Sequence, residues 1–408
     1  MVKNGDLDKP KKQLNKSKII KLIVGILVIA LIVTCLTLFF TPPTLFKNKR
    51  IILYIKNESF RDFSDKYIFR KEIQSADLVK IDLEANKLAG VYAYEKYVLV
   101  LEQNSLDFYN RFGNKDGNLD IQISTPLFAS KGNYLCIAEK NGQKLYCIQN
   151  KNIVWQKDIE GEIKGINVNK NGYVSVIISG TSYKSIVEIY DNNGKELFKR
   201  GLSTTTVIDT DISSDNKYLA IAETNFSGVL IQSTIEIVSM ENAEKKPDDA
   251  IIYKYEADSD NLITNIEYQK DSLVCMYDKY IDIIKNKNVT RVFDYTSEDV
   301  LFAGINLNSK ITKVIRKSKG FLGKEFQMKI IDTNNINNEI IYEVEQNPKG
   351  VYVADNIICI NLGIEVLFVN SNGWLIKRYK SSQEIQDVVF SRDIAGIISR
   401  NRIELISL

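Results

Sequence analysis

The stretch VNKNGYVSVIISGTSYKSIVEIYDNNGKELFKR, residues 168–200, is the most informative part of this 408-residue chain about its architecture. It contains two apolar, strand-like runs, a loop between them, and an Asn193-Gly194 pair that leads into a third run. An Asn-Gly pair supplies the positive φ angles that a tight hairpin turn requires. The segment therefore predicts a small antiparallel sheet built from consecutive strands.

The same unit recurs about eight times between residue 75 and the C-terminus. Its clearest signature is the third strand, which returns at spacings of roughly 37 to 48 residues, the period of a four-stranded propeller blade. We therefore predict an all-β eight-bladed β-propeller, with a seven-bladed ring as the alternative. The eight third strands are centred on Asp107, Tyr146, Glu188, Glu236, Asp282, Ile330, Leu367 and Glu404.

The last unit has only three strands before the chain ends at Leu408. A propeller must close its ring, because an open edge strand invites aggregation. We therefore expect the missing strand to come from the N-terminal side, with residues 76–85 as the best candidate and 51–55 as the second. A short helix is also predicted over 59–67, where Ser59 resembles a capping residue.

The N-terminal region predicts a membrane anchor. Residues 22–40 carry no charge and would form a helix of about 28 Å, enough to cross a bilayer. Residues 1–21 hold seven Lys and two Asp and should form a cytoplasmic tail. Residues 41–74 read as a linker and 75–408 as the propeller. We predict a single-pass protein of the bacterial cytoplasmic membrane, with the N-terminus inside and the propeller outside.

Two other interpretations of this region are a cleaved signal peptide and a lipid anchor on Cys35. A signal peptide has small residues before its cleavage site, whereas Leu-Phe-Phe precedes Thr41 here. Thr34 is a poor fit just before a lipidated cysteine, and the apolar run continues beyond Cys35. An uncleaved anchor in the lipid bilayer fits these residues better.

Charge and composition exclude several function classes. The net charge is +3, of which residues 1–21 contribute +5, so that the remainder carries +3 − 5 = −2. This near-neutral body lacks the basic footprint of a nucleic-acid-binding protein. The chain contains no histidine, which excludes Ser-His-Asp and Cys-His catalysis and histidine-ligated metals. We predict no catalytic residue, no metal ligand and no cofactor.

Two acidic motifs have a metal interpretation and a structural one. Asp209-Thr210-Asp211 places alternating carboxylates on a first strand, which in a propeller lines the central channel. Two carboxylates are too few for Ca²⁺, which takes six to eight oxygen ligands, so solvation of a strand edge is the alternative. The segment 191–194 superficially resembles a calcium loop, but a hairpin turn explains it.

Cys136 and Cys147 lie on either side of the turn at Asn141-Gly142, and the turn count places them directly opposite each other. They are a candidate disulfide outside the cytoplasm. The alternative is a pair of buried thiols, because cysteine also serves as a small apolar core residue. Cys275 and Cys359 lie in apolar strands and read as core.

The segments IEIYDNNGKELFKRGL and CIQNKNIVWQKDIEG resemble degenerate repeats of pyrroloquinoline-quinone-type propellers. The organisation is also similar to that of the outer-membrane-assembly scaffold lipoproteins, which use the eight-bladed fold without a cofactor. Residues 168–200 and the segment ISSDNKYLAIAETNFSGVLIQSTIEIV resemble an uncharacterised family of single-pass Gram-positive membrane proteins with an extracytoplasmic propeller. The resemblance implies a fold but no activity. Trp155 reads as a blade-packing residue, not as a cofactor platform.

Loop length indicates a binding face. The connections between second and third strands are long in blades three, four and six, and such loops emerge on one face of a propeller. Exposed aromatic side chains beside charges are typical of protein-binding patches. The alternative is that these side chains fold back onto the blades. The candidate binding residues are Tyr183, Phe226, Phe321, Leu322, Lys317, Lys319 and Lys324.

Three functions remain open on these grounds. The first is a non-enzymatic interaction scaffold that holds an envelope or membrane protein on the long-loop face. The second is a receptor for an envelope glycan or small ligand in the central channel. The third is an enzyme that uses channel carboxylates, for which a close pair with separated pKa values would be required.

Overall fold

The computed structural model describes residues 25, 27, 29, 30, 71–75, 78–84, 86–319 and 323–408. The chain divides into two compact units, residues 1–58 and 59–408. In the first unit Gly25, Leu27, Ile29 and Ala30 are helical. Within the described ranges no helix combines the length and the apolarity that a membrane span requires. Most of the predicted anchor, the strand candidate 51–55 and the helix predicted over 59–67 lie outside the described residues.

The second unit is an all-β, eight-bladed propeller, which confirms the predicted fold and the blade count. Blades one to six are antiparallel sheets of four strands in sequence order, whereas blades seven and eight each include a strand from the N-terminal side. Two short strands, β1 (Glu72–Gln74) and β2 (Val79–Asp82), precede the first blade. Blade one contains β3 (Leu88–Tyr94), β4 (Tyr97–Glu102), β5 (Ser105–Tyr109) and β6 (Lys115–Asp120), and blade two contains β7 (Pro126–Lys131), β8 (Tyr134–Glu139), β9 (Lys144–Gln149) and β10 (Asn152–Asp158). Blade three contains β11 (Glu162–Val168), β12 (Val174–Ser179), β13 (Ser185–Tyr190) and β14 (Glu196–Leu202). Blade four contains β15 (Thr206–Ile212), β16 (Tyr218–Asn225), β17 (Gln232–Ser239) and β18 (Ile251–Glu256).

A short helix, α1 (Met240–Lys245), and a 3-10 turn (Pro247–Asp249) separate β17 from β18. The side chain of Ser239 accepts a hydrogen bond from the backbone N–H of Asn242 and so caps α1. Blade five contains β19 (Ile263–Gln269), β20 (Ser272–Tyr277), β21 (Tyr280–Lys285) and β22 (Asn288–Asp294), and blade six contains β23 (Asp299–Gly304), β24 (Lys310–Lys319), β25 (Gly323–Asp332) and β26 (Asn335–Val344). Blade seven contains β27 (Gly350–Ala354), β28 (Ile357–Asn361), β29 (Glu365–Asn370) and β30 (Leu375–Lys380). Blade eight contains β31 (Asp387–Phe390), β32 (Ile394–Ser399) and β33 (Arg402–Ser407).

The N-terminal strands close the ring. β2 pairs antiparallel with β33, so that it becomes the outer strand of blade eight. This confirms that the closing strand lies within residues 76–85. β1 pairs in parallel with β30 and adds a fifth strand to blade seven. That strand was not predicted, and it places residues 72–74 in the propeller and not in the predicted linker 41–74.

The hydrophobic core is distributed around the ring. The described residues form eight apolar clusters, and each cluster fills the space between two neighbouring blades. At the closing joint, Val98 and Val100 of blade one pack with Ile403 and Leu405 of blade eight and with Ile81 of β2. Because every blade is covered on both faces, most residues of its central strands are apolar on both faces.

Buried acidic residues recur at the centre of the third strands. Glu188, Glu236, Asp282 and Glu404 are each at most 4% exposed. Each lies directly opposite a basic residue of the outer strand of its own blade. A buried carboxylate needs such a partner, because an unpaired buried charge is costly. The ion pairs are Glu188 with Lys199, Glu236 with Lys254, Asp282 with Arg291, and Glu404 with Lys80.

Candidate binding face

Strand direction decides which loops share a surface. In a blade of four antiparallel strands, the second-to-third connection and the link to the next blade emerge at the same end. We call this end of the ring the long-loop face. The first-to-second and third-to-fourth turns lie on the opposite face.

The connections of blades three and four are long, as predicted. β12 ends at Ser179 and β13 begins at Ser185, while β16 ends at Asn225 and β17 begins at Gln232. These two blades are neighbours and share one apolar cluster, so that their loops emerge side by side on the long-loop face.

The prediction of a long loop in blade six was wrong. β24 and β25 pair without interruption until Lys319 lies opposite Gly323, so that most of the expected loop is a long hairpin. The polar segment lacks an early Asn-Gly or Gly-Asn turn pair, and polarity alone does not end a strand. Phe321 and Leu322 lie outside the described residues, as does the side chain of Lys319.

The loops of blades three and four expose a group of apolar side chains, which we call the apolar patch. Val229 is fully exposed, Leu230 is 55% exposed and Phe226 is 49% exposed. Tyr183 on the neighbouring loop is 44% exposed. Phe226 and Tyr183 were predicted for this face, whereas Val229 and Leu230 were missed. The signal that could have identified them is the apolar run Val229-Leu230-Ile231 inside a predicted loop.

Local chemistry shapes these loops. The side-chain oxygen of Asn225 accepts the backbone N–H of Ser227 at 2.8 Å, which turns the chain at the start of the blade-four loop. Tyr183 lies over Gly201, where an added Cβ would be 2.6 Å from the ring. Tyr183 is therefore half folded back onto blade three, while Phe226, Val229 and Leu230 remain outward.

The hairpin of blade six contributes exposed lysines to the same face. Lys317 and Lys324 are exposed. Neither forms an ion pair with another described residue, although Glu325 lies opposite Lys317 in the register. By contrast, Arg316 at the base of the hairpin is 2.6 Å from Asp299.

The carboxylates of Asp209 and Asp211 cap the backbone of the next blade. Asp209 accepts the backbone N–H of Ile266 at 2.9 Å, and Asp211 accepts that of Tyr268 at 2.6 Å. Both donors belong to β19, the innermost strand of blade five, whose channel-side edge has no neighbouring strand. The motif therefore serves a strand edge by hydrogen bonding to its backbone and not by the predicted solvation, because Asp211 is only 1% exposed. Among the described residues, no group of three or more Asp, Glu or Cys side chains could hold a metal ion.

A lysine joins this carboxylate group across the inner strands. Nζ of Lys131 on β7 lies 3.2 Å from Glu267 and 3.7 Å from Asp211. The network links blades two, four and five, and no local sequence pattern predicts it, because the three strands are far apart along the chain.

Burial raises the pKa of Asp209 to about 7. This effect is larger than the opposing effect of the hydrogen bonds that the carboxylate accepts from the backbone N–H groups of Ile266 and Thr210. Burial also raises the pKa of Glu267 to about 7, although Lys131 opposes the shift. Burial lowers the pKa of Lys131, but the neighbouring Asp211 and Glu267 outweigh it and raise that pKa overall. Burial therefore raises the pKa values of both carboxylates.

Residues 69–408, which include the whole propeller and its two N-terminal strands, match a single protein family. The chain belongs to this family of unknown function (DUF5711). The match does not extend to the predicted anchor, so that the single-pass architecture stays a prediction. No curated protein matches the chain.

Several solved structures are similar to this DUF5711 chain. BamB from Moraxella catarrhalis has a TM-score of 0.47 at 9% identity, covering 81% of this chain and 99% of that one. The Cps50 (Swd1) propeller of Myceliophteria thermophila has a TM-score of 0.45 at 9% identity, covering 81% and 100%. Apo AztD from Citrobacter koseri has a TM-score of 0.45 at 11% identity, covering 72% and 87%.

Three further residues or motifs singled out in the sequence have structural roles. Cys136 lies directly opposite Cys147, as the turn count predicts. Both thiols are free and buried, with their Sγ atoms 3.2 Å apart.

Asp191 accepts hydrogen bonds from the backbone N–H groups of Asn193 and Lys195, which confirms the hairpin turn. Trp155 packs into the cluster between blades two and three, as predicted.

Proposed function

We propose that this DUF5711 chain is a non-enzymatic interaction scaffold that holds an envelope or membrane protein on its long-loop face. The observation that supports this function is the apolar patch on the adjacent loops of blades three and four. Val229 and Leu230 are outward-facing aliphatic side chains on a loop that carries no charge from Thr224 to Thr234. A partner that covers exposed apolar side chains of this kind removes their surface from water, which favours binding.

The rigidity of the ring suits this role. Eight blade-to-blade clusters hold the strands in place, so that the loops can vary without cost to the fold. Their tips are then presented in a fixed arrangement, which reduces the entropy that binding must overcome.

We further propose that residues 22–40 anchor the chain in the bacterial cytoplasmic membrane, with the propeller outside. The uncharged run and its lysine-rich N-terminal flank support this arrangement. A receptor for a ligand in the channel has less support, because the inner-strand carboxylates Asp209 and Asp211 are engaged by backbone N–H groups of blade five and Asp211 by Lys131 as well.

The scaffold proposal is tested by photocrosslinking in cells. A photoreactive amino acid at Val229 should give one discrete adduct in the full-length protein. Placed at Val154, which is 43% exposed on the outer strand of blade two, it should give none, since that site lies outside the patch.

The adduct should be lost when Phe226→Asp and Leu230→Asp are combined with the Val229 probe. The melting temperature should stay nearly unchanged, because both side chains are exposed. Equal adducts at Val229 and Val154, or an adduct that survives the double substitution, would reject the patch as a docking surface.

A further inference from the structure

The hairpin of blade six projects beyond its own sheet. The last pair between β23 and β24 joins Asp299 to Arg316. On the other side, the last pair between β25 and β26 joins Phe326 to Val344. Residues 317–319 and 323–325 therefore pair only with each other. Three residue pairs extend the ribbon by about 10 Å beyond the four-stranded region, on the long-loop face.

This ribbon carries a net positive charge. Its residues include Lys317, Lys319 and Lys324 against Glu325 alone, a net charge of +3 − 1 = +2. Lys317 and Lys324 are exposed and form no ion pair with the other described residues. The lysines deeper in the same blade are neutralised instead: Lys313 and Lys329 both pair with Glu298.

We infer that the ribbon of blade six docks on an anionic lipid surface, on the same face of the ring as the apolar patch of blades three and four. The inference rests on the membrane anchor of the proposed function. Charge complementarity favours anionic headgroups, and each lysine near such a surface contributes about a five-fold gain in partition. The three unflanked pairs carry Lys317 and Lys324 beyond the four-stranded region of the blade, where a flat surface can meet them.

The tether permits this contact. Residues 41–70 are thirty residues long and span at most about 100 Å when fully extended. Anchoring to the same bilayer also turns docking into an intramolecular event with a high effective concentration, so that a few lysines suffice.

The test places a fluorophore on the ribbon in the full-length protein. Ser318→Cys is labelled in a Cys35→Ser background, where the other four cysteines are buried and protected from labelling. The protein is reconstituted into vesicles of phosphatidylcholine alone, or of phosphatidylcholine and phosphatidylglycerol in equal amounts. Both contain a trace of lipid with a nitroxide on its headgroup, which quenches nearby fluorophores.

Quenching at position 318 should be at least several-fold stronger with phosphatidylglycerol and should fall at high salt. Lys317→Gln with Lys324→Gln should reduce partition of the ribbon about twenty-five-fold, from two lysines at about five-fold each. A label at Asn192→Cys, on a turn of the opposite face, should show no dependence on phosphatidylglycerol.

Three outcomes would overturn the inference. If the protein floats with both vesicles but position 318 is quenched equally in them, lipid docking is wrong while the anchor stands. If the protein floats with neither, the anchor fails and the docking inference fails with it. An unchanged response in the Lys317→Gln, Lys324→Gln variant would also reject the ribbon as the contact.

Discussion

At the scale of single residues, Glu404 connects the N-terminal strands to two blades. It is 2% exposed and accepts hydrogen bonds from Ser75 and from the Tyr379 hydroxyl of blade seven. Arg402 lies 3.2 Å away and Lys80 of β2 lies 4.0 Å away. This one carboxylate therefore balances the charge of two cations and accepts hydrogen bonds from two hydroxyl groups at the closing joint.

We expect Glu404→Ala to lower the free energy of unfolding by about 3 kcal/mol, because it leaves buried partners without an acceptor. The measurement is chemical denaturation of the full-length protein in detergent. Glu384→Ala is the matched control, since its pair with Lys349 is exposed and should change stability by less than about 1 kcal/mol. Equal effects of the two substitutions would show that Glu404 does not hold the joint.

A second residue-scale prediction concerns pH. The folded-state pKa values of Asp209 and Glu267 are raised to about 7, whereas an unfolded carboxylate titrates near 4. Between these values the folded protein binds more protons than the unfolded chain, so that stability falls as pH rises. The melting temperature should therefore be higher at about pH 5 than at about pH 8.

Asp209→Asn should flatten this pH dependence, because the amide mimics the protonated carboxyl and does not titrate. Asp387→Asn is the control, since Asp387 is an exposed carboxylate on an innermost strand. Asp211 and Glu267, whose pKa values burial also raises, lie close to Asp209 and would still titrate, so that part of the slope should remain. A melting temperature that rises with pH over this range would contradict the prediction.

At the scale of elements, the sequence predicts the strands well because each blade repeats the same local chemistry. Asn193-Gly194 and Asn171-Gly172 mark turns, and Gly194 and Gly172 have positive φ in the structure. The closing strand was predictable because the last unit lacks one. A further signal lay in the repeat itself: Lys80 occupies the outer-strand position opposite Glu404, as Lys199 does opposite Glu188.

Other elements could not be predicted from local pattern. β1 has three residues and owes its strand conformation to pairing with β30, which lies some three hundred residues away in the sequence. The extended hairpin of blade six depends on continued pairing between β24 and β25. The Lys131 network requires knowledge of which inner strands converge. Each of these features arises from contacts between distant segments.

At the scale of the whole molecule, closure of the ring makes the eight blades a single cooperative folding unit. Each apolar cluster lies between two neighbours, so that every blade depends on the blade before it and the blade after it. The joint between blades eight and one is the place where this chain of contacts is completed, and Ile81 of β2 contributes to its cluster. Loss of β2 would remove that contact and uncover the outer edge of β33.

Three truncations should separate the roles of the N-terminal strands. A chain that starts at residue 70 retains β1 and β2, one that starts at 78 retains only β2, and one that starts at 86 retains neither. We expect the first two to be monodisperse in size-exclusion chromatography, with a modest loss of stability in the second. The third should aggregate, and hydrogen exchange should show β33 and β32 unprotected. If the chain that starts at residue 86 were as soluble and as well protected as the others, ring closure by β2 would not be what holds this propeller together.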